Sequence, residues 1–212
     1  RPLDTVPTDP LPPELFQAVA AAPELVSLSR WRRFAFKVPR LPGKLRAVAA
    51  VIDPTGSTVA FTYRTLLGAT GPTRDQIYVR DLATETTRLV SRTGQTPGND
   101  SSVGPLFSPN GARLAFTSGA SNLVTGDGNG FRDVFVYDLD ADAVGLVSVD
   151  VHGTTPDGQS LNPRFTPDGS KLAFVSNAGG LVAGFLGRSS DLYLRDLEAE
   201  RTELVSLDPA GT

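Results

Sequence analysis

Short apolar runs, each bounded by turn-forming residues, recur along this chain. The clearest set is LNPRF (161 to 165), KLAFVS (171 to 176), DLYLRDL (191 to 197) and TELVSL (202 to 207). Runs of this length, rich in β-branched and aromatic residues, predict four short strands. The same phrase occurs three times. Its opening reads IDPTGSTVAF (52 to 61), FSPNGARLAF (107 to 116) and FTPDGSKLAF (165 to 174), and its middle reads IYVRDL (77 to 82), VFVYDL (134 to 139) and LYLRDL (192 to 197). Each copy closes with LVS, at 89 to 91, 146 to 148 and 204 to 206. Successive copies lie 55 to 58 residues apart, measured between Pro54, Pro109 and Pro167 or between Asp81, Asp138 and Asp196. A fixed period of this size means repeated structural units.

The first connection in each copy is chemically explicit: Asp53-Pro54-Thr55-Gly56, Ser108-Pro109-Asn110-Gly111 and Thr166-Pro167-Asp168-Gly169. A polar residue at the first position, proline at the second and glycine at the fourth predict a type I turn, hence a hairpin between strands one and two. In the second strand Leu172 and Phe174 point to one face while Ala173 and Val175 point to the other. An apolar residue on both faces predicts a strand covered on both sides. Four-stranded antiparallel sheets stacked on their own kind meet that requirement, as the blades of a β-propeller do. A β-sandwich would show polar alternation on its outer faces instead. The expected architecture is therefore an all-β propeller arc of about three blades, at 46 to 91, 103 to 148 and 161 to 206.

The phrases SPNGARLAFTS and TPDGSKLAFVS, each followed by an aromatic strand ending in Asp-Leu, resemble the Pro-Asp-Gly repeat of the TolB β-propeller family. The resemblance covers residues 46 to 208. It implies a six-bladed or larger propeller, periplasmic or secreted, that binds other proteins or gates an attached enzyme. Two departures stand out: three blades are present where a closed ring needs at least four, and the additional N-terminal domain of TolB is not recognisable. Residues 1 to 45 fit an extended arm with part of a blade. PELFQAVAAA (13 to 22) has helical composition, and Leu25-Val26-Ser27 echoes the closing strand.

Charge changes the picture at one place. Residues 25 to 52 carry Arg30, Arg32, Arg33, Lys37, Arg40, Lys44 and Arg46 with no acid, leaving 13 basic against 23 acidic groups elsewhere. Trp31, Phe34 and Phe36 interleave with these cations. Basic-aromatic stretches can bind nucleic acid. The acidic body opposes a polyanion, so blade aromatics with solvated arginines, or an anionic protein partner, are the preferred readings, and no nucleic acid partner is expected. The chain has no cysteine, which excludes disulfides and thiol chemistry. It begins at Arg1 with no methionine anywhere, which reads as a processed or excised product. No apolar run approaches the roughly 20 residues that span a bilayer.

The sharpest local motif is TGDGNGFRD (125 to 133). Asp127, Asn129 and Asp133 overlay part of a calcium loop, in which alternating oxygen ligands and a glycine bend wrap a hard cation. The first acid and the bidentate glutamate of such loops are missing, so calcium binding is expected to be weak. Asp133 and Asp191 recur at one blade position, with Gln76 in register. The competing reading is local hydrogen bonding by turn residues. His152 is the only histidine and no G-x-S-x-G phrase occurs, so a catalytic triad and a zinc site are both disfavoured. Asp81, Asp138 and Asp196 precede Leu at strand ends, where a carboxylate can accept N–H groups of the following turn. The functional expectation is a non-enzymatic exported module that binds or scaffolds other polypeptides: the first and last blades of a three-blade arc leave apolar sheet faces uncovered, which predicts association with another chain that completes the propeller or with a second copy as a homo-oligomer. The alternative is the propeller portion of a larger hydrolase of the prolyl-oligopeptidase kind.

Overall fold

The computed structural model describes residues 47–66, 72–185 and 189–206. The expected N-terminal arm, its helix at 13 to 22 and the basic segment from Arg30 to Arg46 lie outside the described residues. Four strands, β1 (Ala47–Ile52), β2 (Thr58–Leu66), β3 (Thr73–Asp81) and β4 (Thr87–Leu89), form the first sheet. A small hairpin, β5 (Arg92–Thr93) and β6 (Thr96–Pro97), follows. The second sheet contains β7 (Ser102–Phe107), β8 (Arg113–Ser118), β9 (Asp133–Asp138) and β10 (Ala143–Leu146). The third contains β11 (Ser160–Phe165), β12 (Lys171–Ser176), β13 (Asp191–Asp196) and β14 (Arg201–Leu204). Every pairing is antiparallel and every sheet runs in chain order, so each is a four-stranded meander.

The turn chemistry behaves as the sequence predicts. Gly56, Gly111 and Gly169 donate their N–H to the carbonyls of Asp53, Ser108 and Thr166 at 3.0, 2.8 and 2.9 Å. Each of these glycines has φ between 72 and 77°, a region in which a Cβ would be strained. The side chain that opens the turn holds the returning strand: Thr58, Arg113 and Lys171 donate their N–H to Asp53 Oδ1, Ser108 Oγ and Thr166 Oγ1. Asp81, Asp138 and Asp196 each accept two N–H groups from the turn that follows. Four residues beyond each lies Glu85, Asp142 or Glu200, with φ of 52 to 56°. An acid in the left-handed region of every copy marks one shared hairpin geometry.

Two details differ from expectation. Val-Ser of each closing LVS falls just past the fourth strand, because Val90, Val147 and Val205 turn back to donate to Ile77, Val134 and Leu192 carbonyls at 2.8 to 2.9 Å. The first strands also carry bulges. Val103 pairs with Thr117 and Leu106 with Ala115, so Gly104 and Pro105 face a single residue; Asn162 and Pro163 repeat this in β11. Gly104 and Asn162 sit at φ of 69 and 57°. The bulge lets proline, which has no N–H, sit inside a strand.

The three sheets stack by a size rule. Leu114, Phe116, Phe135 and Tyr137 on the backward face of the second sheet pack on Ala60, Ile77, Val79 and Val90 of the first. Its forward face, Ala115, Val134 and Val147, receives Leu172, Phe174 and Tyr193 of the third. Large faces thus meet small ones, which lets close-packed sheets interdigitate. Stacked ring pairs line both backward faces, Phe116 on Phe135 at 5.7 Å and Phe174 on Tyr193 at 5.8 Å. Each such buried side chain contributes about 1.5–3 kcal/mol.

The two outer faces are not alike. Val59 and Phe61, on the backward face of the first sheet, are only 3% and 4% exposed. The expectation that the first blade leaves an apolar face uncovered is therefore corrected. On the forward face of the third sheet, Leu192 is 38% and Val205 48% exposed, and Ala173 and Val175 are partly exposed. The second strand of the third sheet is thus not covered on both sides.

Candidate functional site

The seams between sheets carry the polar chemistry. One register position of each third strand is held by the serine of the closing LVS. Ser91, Ser148 and Ser206 hydroxyls donate to Gln76 Oε1, Asp133 Oδ1 and Asp191 Oδ1, and accept the N–H of Ile77, Val134 and Leu192. Gln76 also reaches forward: its Nε2 donates to the carbonyls of Gly98 at 2.9 Å and Asp100 at 3.1 Å. An ionised carboxylate cannot donate. In the second sheet Asn129 supplies the missing donor, its Nδ2 bonding Asp133 Oδ2 at 2.8 Å and the Pro156 carbonyl at 3.0 Å.

This assigns the three residues singled out as calcium ligands. The structure brings Asp127, Asn129 and Asp133 into one loop at the second seam. Asn129 Oδ1 accepts the Phe131 N–H at 2.8 Å, and Asp133 is occupied by Ser148 and Asn129. Asp127 is only 8% exposed. Burial, then the neighbouring Asp133 charge, push its carboxyl up to about 6, against an opposing N–H bond from Asn129. Burial also raises Asp133, opposed by its bonds from Asn129 and Ser148. Calcium takes roughly six to eight oxygens. Among the described residues no cluster of three or more acidic, His or Cys groups forms. As arranged, the set falls short of a cage. His152 is exposed on the linker, where its N–H bonds Asp150 Oδ1 at 2.8 Å.

The outer rims of the seams went unread in the sequence. At the first, Arg88 lies 5.5 Å from the Tyr137 ring centroid and donates to the Leu139 carbonyl, while Arg92 Nη2 sits 2.6 Å from Asp142 Oδ2. Tyr137 donates its hydroxyl to Asp142. Burial first, then that bond, push the phenol up to about 12, and the same bond with Arg92 holds Asp142 low. At the second rim Gly145 and Val149 stand in place of Arg88 and Arg92, and Arg195 and Glu200 in place of Tyr137 and Asp142. A shallow cavity of about 300 Å³ opens there, lined by Arg113, Val136, Gly145, Arg195, Leu197 and Glu200 among others.

Three face-stacked antiparallel meanders define the class: an all-β arc of propeller blades. The fold is that of the β-propeller domain of the Trilobed protease from Pyrococcus furiosus, 16% identical, with a TM-score of 0.51 over 76% of this chain and 42% of that one. Two other solved structures that match are a putative TolB from Agrobacterium tumefaciens (18% identity, TM-score 0.45, 75% of this chain and 50% of that) and the tricorn protease (15%, 0.49, 81% and 18%). The chain thus spans half or less of each. No protein-family model matches it, and no curated protein matches it in sequence. Among the described residues no helix is long and apolar enough to cross a membrane.

Proposed function

We propose that this chain is a non-enzymatic, exported β-propeller module, periplasmic or secreted, that binds or scaffolds other polypeptide in a larger assembly. One observation carries the reading: the forward face of the third sheet is open. Leu192 and Val205 are 38% and 48% exposed, whereas Val134 and Val147 at the same places in the second sheet are 0% and 3% exposed. A contiguous apolar sheet face on a folded chain marks a surface built for contact. Native mass measurement together with binding of a hydrophobic dye tests this. Association, or dye binding lost in a Leu192→Asp variant, supports it; a clean monomer that binds no dye overturns it.

A second reading, the gating propeller portion of a larger hydrolase, draws support from the fold match to a protease's propeller domain. It requires a G-x-S-x-G phrase and a second histidine elsewhere in the parent reading frame. Sequencing that frame decides between them.

A further inference from the structure

We infer that the open forward face of the third sheet seats a fourth blade of the same repeat, joined in series through a linker that begins at Leu207. This rests on the open-face reading above and names the occupant. The face repeats the two forward faces already covered. Ala173, Leu192, Leu194 and Val205 take the positions of Ala115, Val134, Val136 and Val147 in the second sheet, and of Ala60, Ile77, Val79 and Val90 in the first. Both covered faces receive the same partner: a second strand reading Leu-Ala-Phe, with an aromatic opposite the phenylalanine on the third strand. Phe116 pairs with Phe135 and Phe174 with Tyr193. The fitting occupant therefore presents Leu-x-Phe and a facing aromatic.

A second copy docking head to tail lacks this face. The backward side of its first sheet, Val59 and Phe61, is already 3% and 4% exposed. Phe61 faces Tyr78 across the strands as Phe116 faces Phe135, so burial and not pattern withdraws this face.

Connection in series follows from how the seams are closed. At each, the chain linking one sheet to the next is part of the joint. Gln76 bonds the carbonyls of Gly98 and Asp100, Asp75 N–H bonds Ser101 Oγ at 3.2 Å, and Asn129 bonds the Pro156 carbonyl. Ser160 N–H then bonds the Arg132 carbonyl at 2.7 Å. A blade arriving without a linker forfeits these bonds.

The sequence after the third sheet restarts that linker. Val149-Asp150-Val151-His152-Gly153-Thr154 and Leu207-Asp208-Pro209-Ala210-Gly211-Thr212 share Asp, Gly and Thr at one spacing. In the first stretch those residues build the turn. Asp150 accepts the N–H of His152 and Thr154, both at 2.8 Å, and the Thr154 hydroxyl at 2.7 Å, while Gly153 takes φ of 77°.

The test extends the chain. A copy of residues 155 to 206 is appended after Thr212, in register with the repeated linker, with the Leu192 and Val205 of the copy alone replaced by Asp so that the added blade opens no new apolar face. The extended chain is expected to stay monomeric, to lose the dye binding of the parent, and to show slowed hydrogen exchange at Leu192 and Val205. An extension whose copied Leu172 and Phe174 are both replaced by Asp is expected to lose these effects. Leu192→Asp is expected to leave the melting temperature of the 212-residue chain nearly unchanged and to lower that of the extended chain. An extended chain with undiminished dye binding, or one in which Leu192→Asp is as mild as in the parent, overturns the inference. So does a parent dimer dissociated by Leu192→Asp, because a second copy is then the occupant. The open-face reading fails differently, through a parent that is monomeric and dye-free before any extension.

Discussion

At the rim of the first seam, Arg88 of the first sheet and Arg92 of the hairpin that follows it grip Tyr137 and Asp142 of the second sheet. At the matching place in the second seam, Gly145 and Val149 carry no cation to bridge with, and a cavity stands open. The inner ends differ as well. One neutral amide, Gln76, both accepts from Ser91 and donates to the next linker. The second seam divides that work between Asp133 and Asn129 and buries Asp127 beside them. The apolar middles are nearly interchangeable. Burial therefore supplies the common adhesion, and the polar ends set how firmly each joint is fixed.

The largest expected effect tests the shared part. Phe116→Ala and Phe174→Ala each remove a fully buried ring from a seam and should cost about 3–5 kcal/mol in urea unfolding. Leu192→Ala, on the open face, should cost under about 1 kcal/mol. A Leu192→Ala penalty as large as that of Phe174→Ala would mean that the third sheet is covered.

The next effect separates the rims. Asp142→Ala strips the acceptor from the buried Tyr137 hydroxyl and the partner from Arg92, and should cost about 1–3 kcal/mol. Glu200→Ala, at the same place in an exposed turn of the third sheet, should fall within about 0.5 kcal/mol of the parent. Because Asp142 titrates below its usual range in the folded chain, its contribution is present above about pH 4 and is lost as pH falls below that. Equal costs for the two variants would show that the rims do not differ in strength.

What was legible in the sequence was local. Pro-x-Gly turns, the Asp-Leu acids and the Leu-Ala-Phe faces each act through neighbours within a few residues or through strand alternation, so spacing alone reveals them. Positions joined over longer separations were only half visible. The LVS serine recurs plainly, but its partner lies 14 or 15 residues away and is fixed by strand register. Arg92 and Asp142 are 50 residues apart, and nothing in either phrase points to the other. The Gly104-Pro105 and Asn162-Pro163 bulges did carry a signal, since proline inside a strand asks for one. The Asp127 loop carries oxygens at a spacing that a turn and a calcium loop share, so the residues alone leave both readings open.

The smallest effect concerns that loop. Asp127 moves from an ordinary 3.8 to about 6 on folding, chiefly through burial and then through Asp133. Between those values the folded chain holds a proton that the unfolded chain has released, so stability falls as pH rises from about 4 to 6 and the full penalty persists above 6. Asp127→Asn removes the titration. It should raise the melting temperature at pH 7.5, flatten the slope between pH 4 and 6, and change little at pH 3.5, all readable by thermal scans in a metal-chelated buffer. Calcium reverses the sign. A cation bridging Asp127 and Asp133 would make millimolar calcium raise the melting point of the parent and leave the Asp127→Asn variant unmoved. No calcium shift, with a stabilised variant, leaves the loop as a hydrogen-bonded joint. Its buried charge is then a cost the first seam avoids by using Gln76.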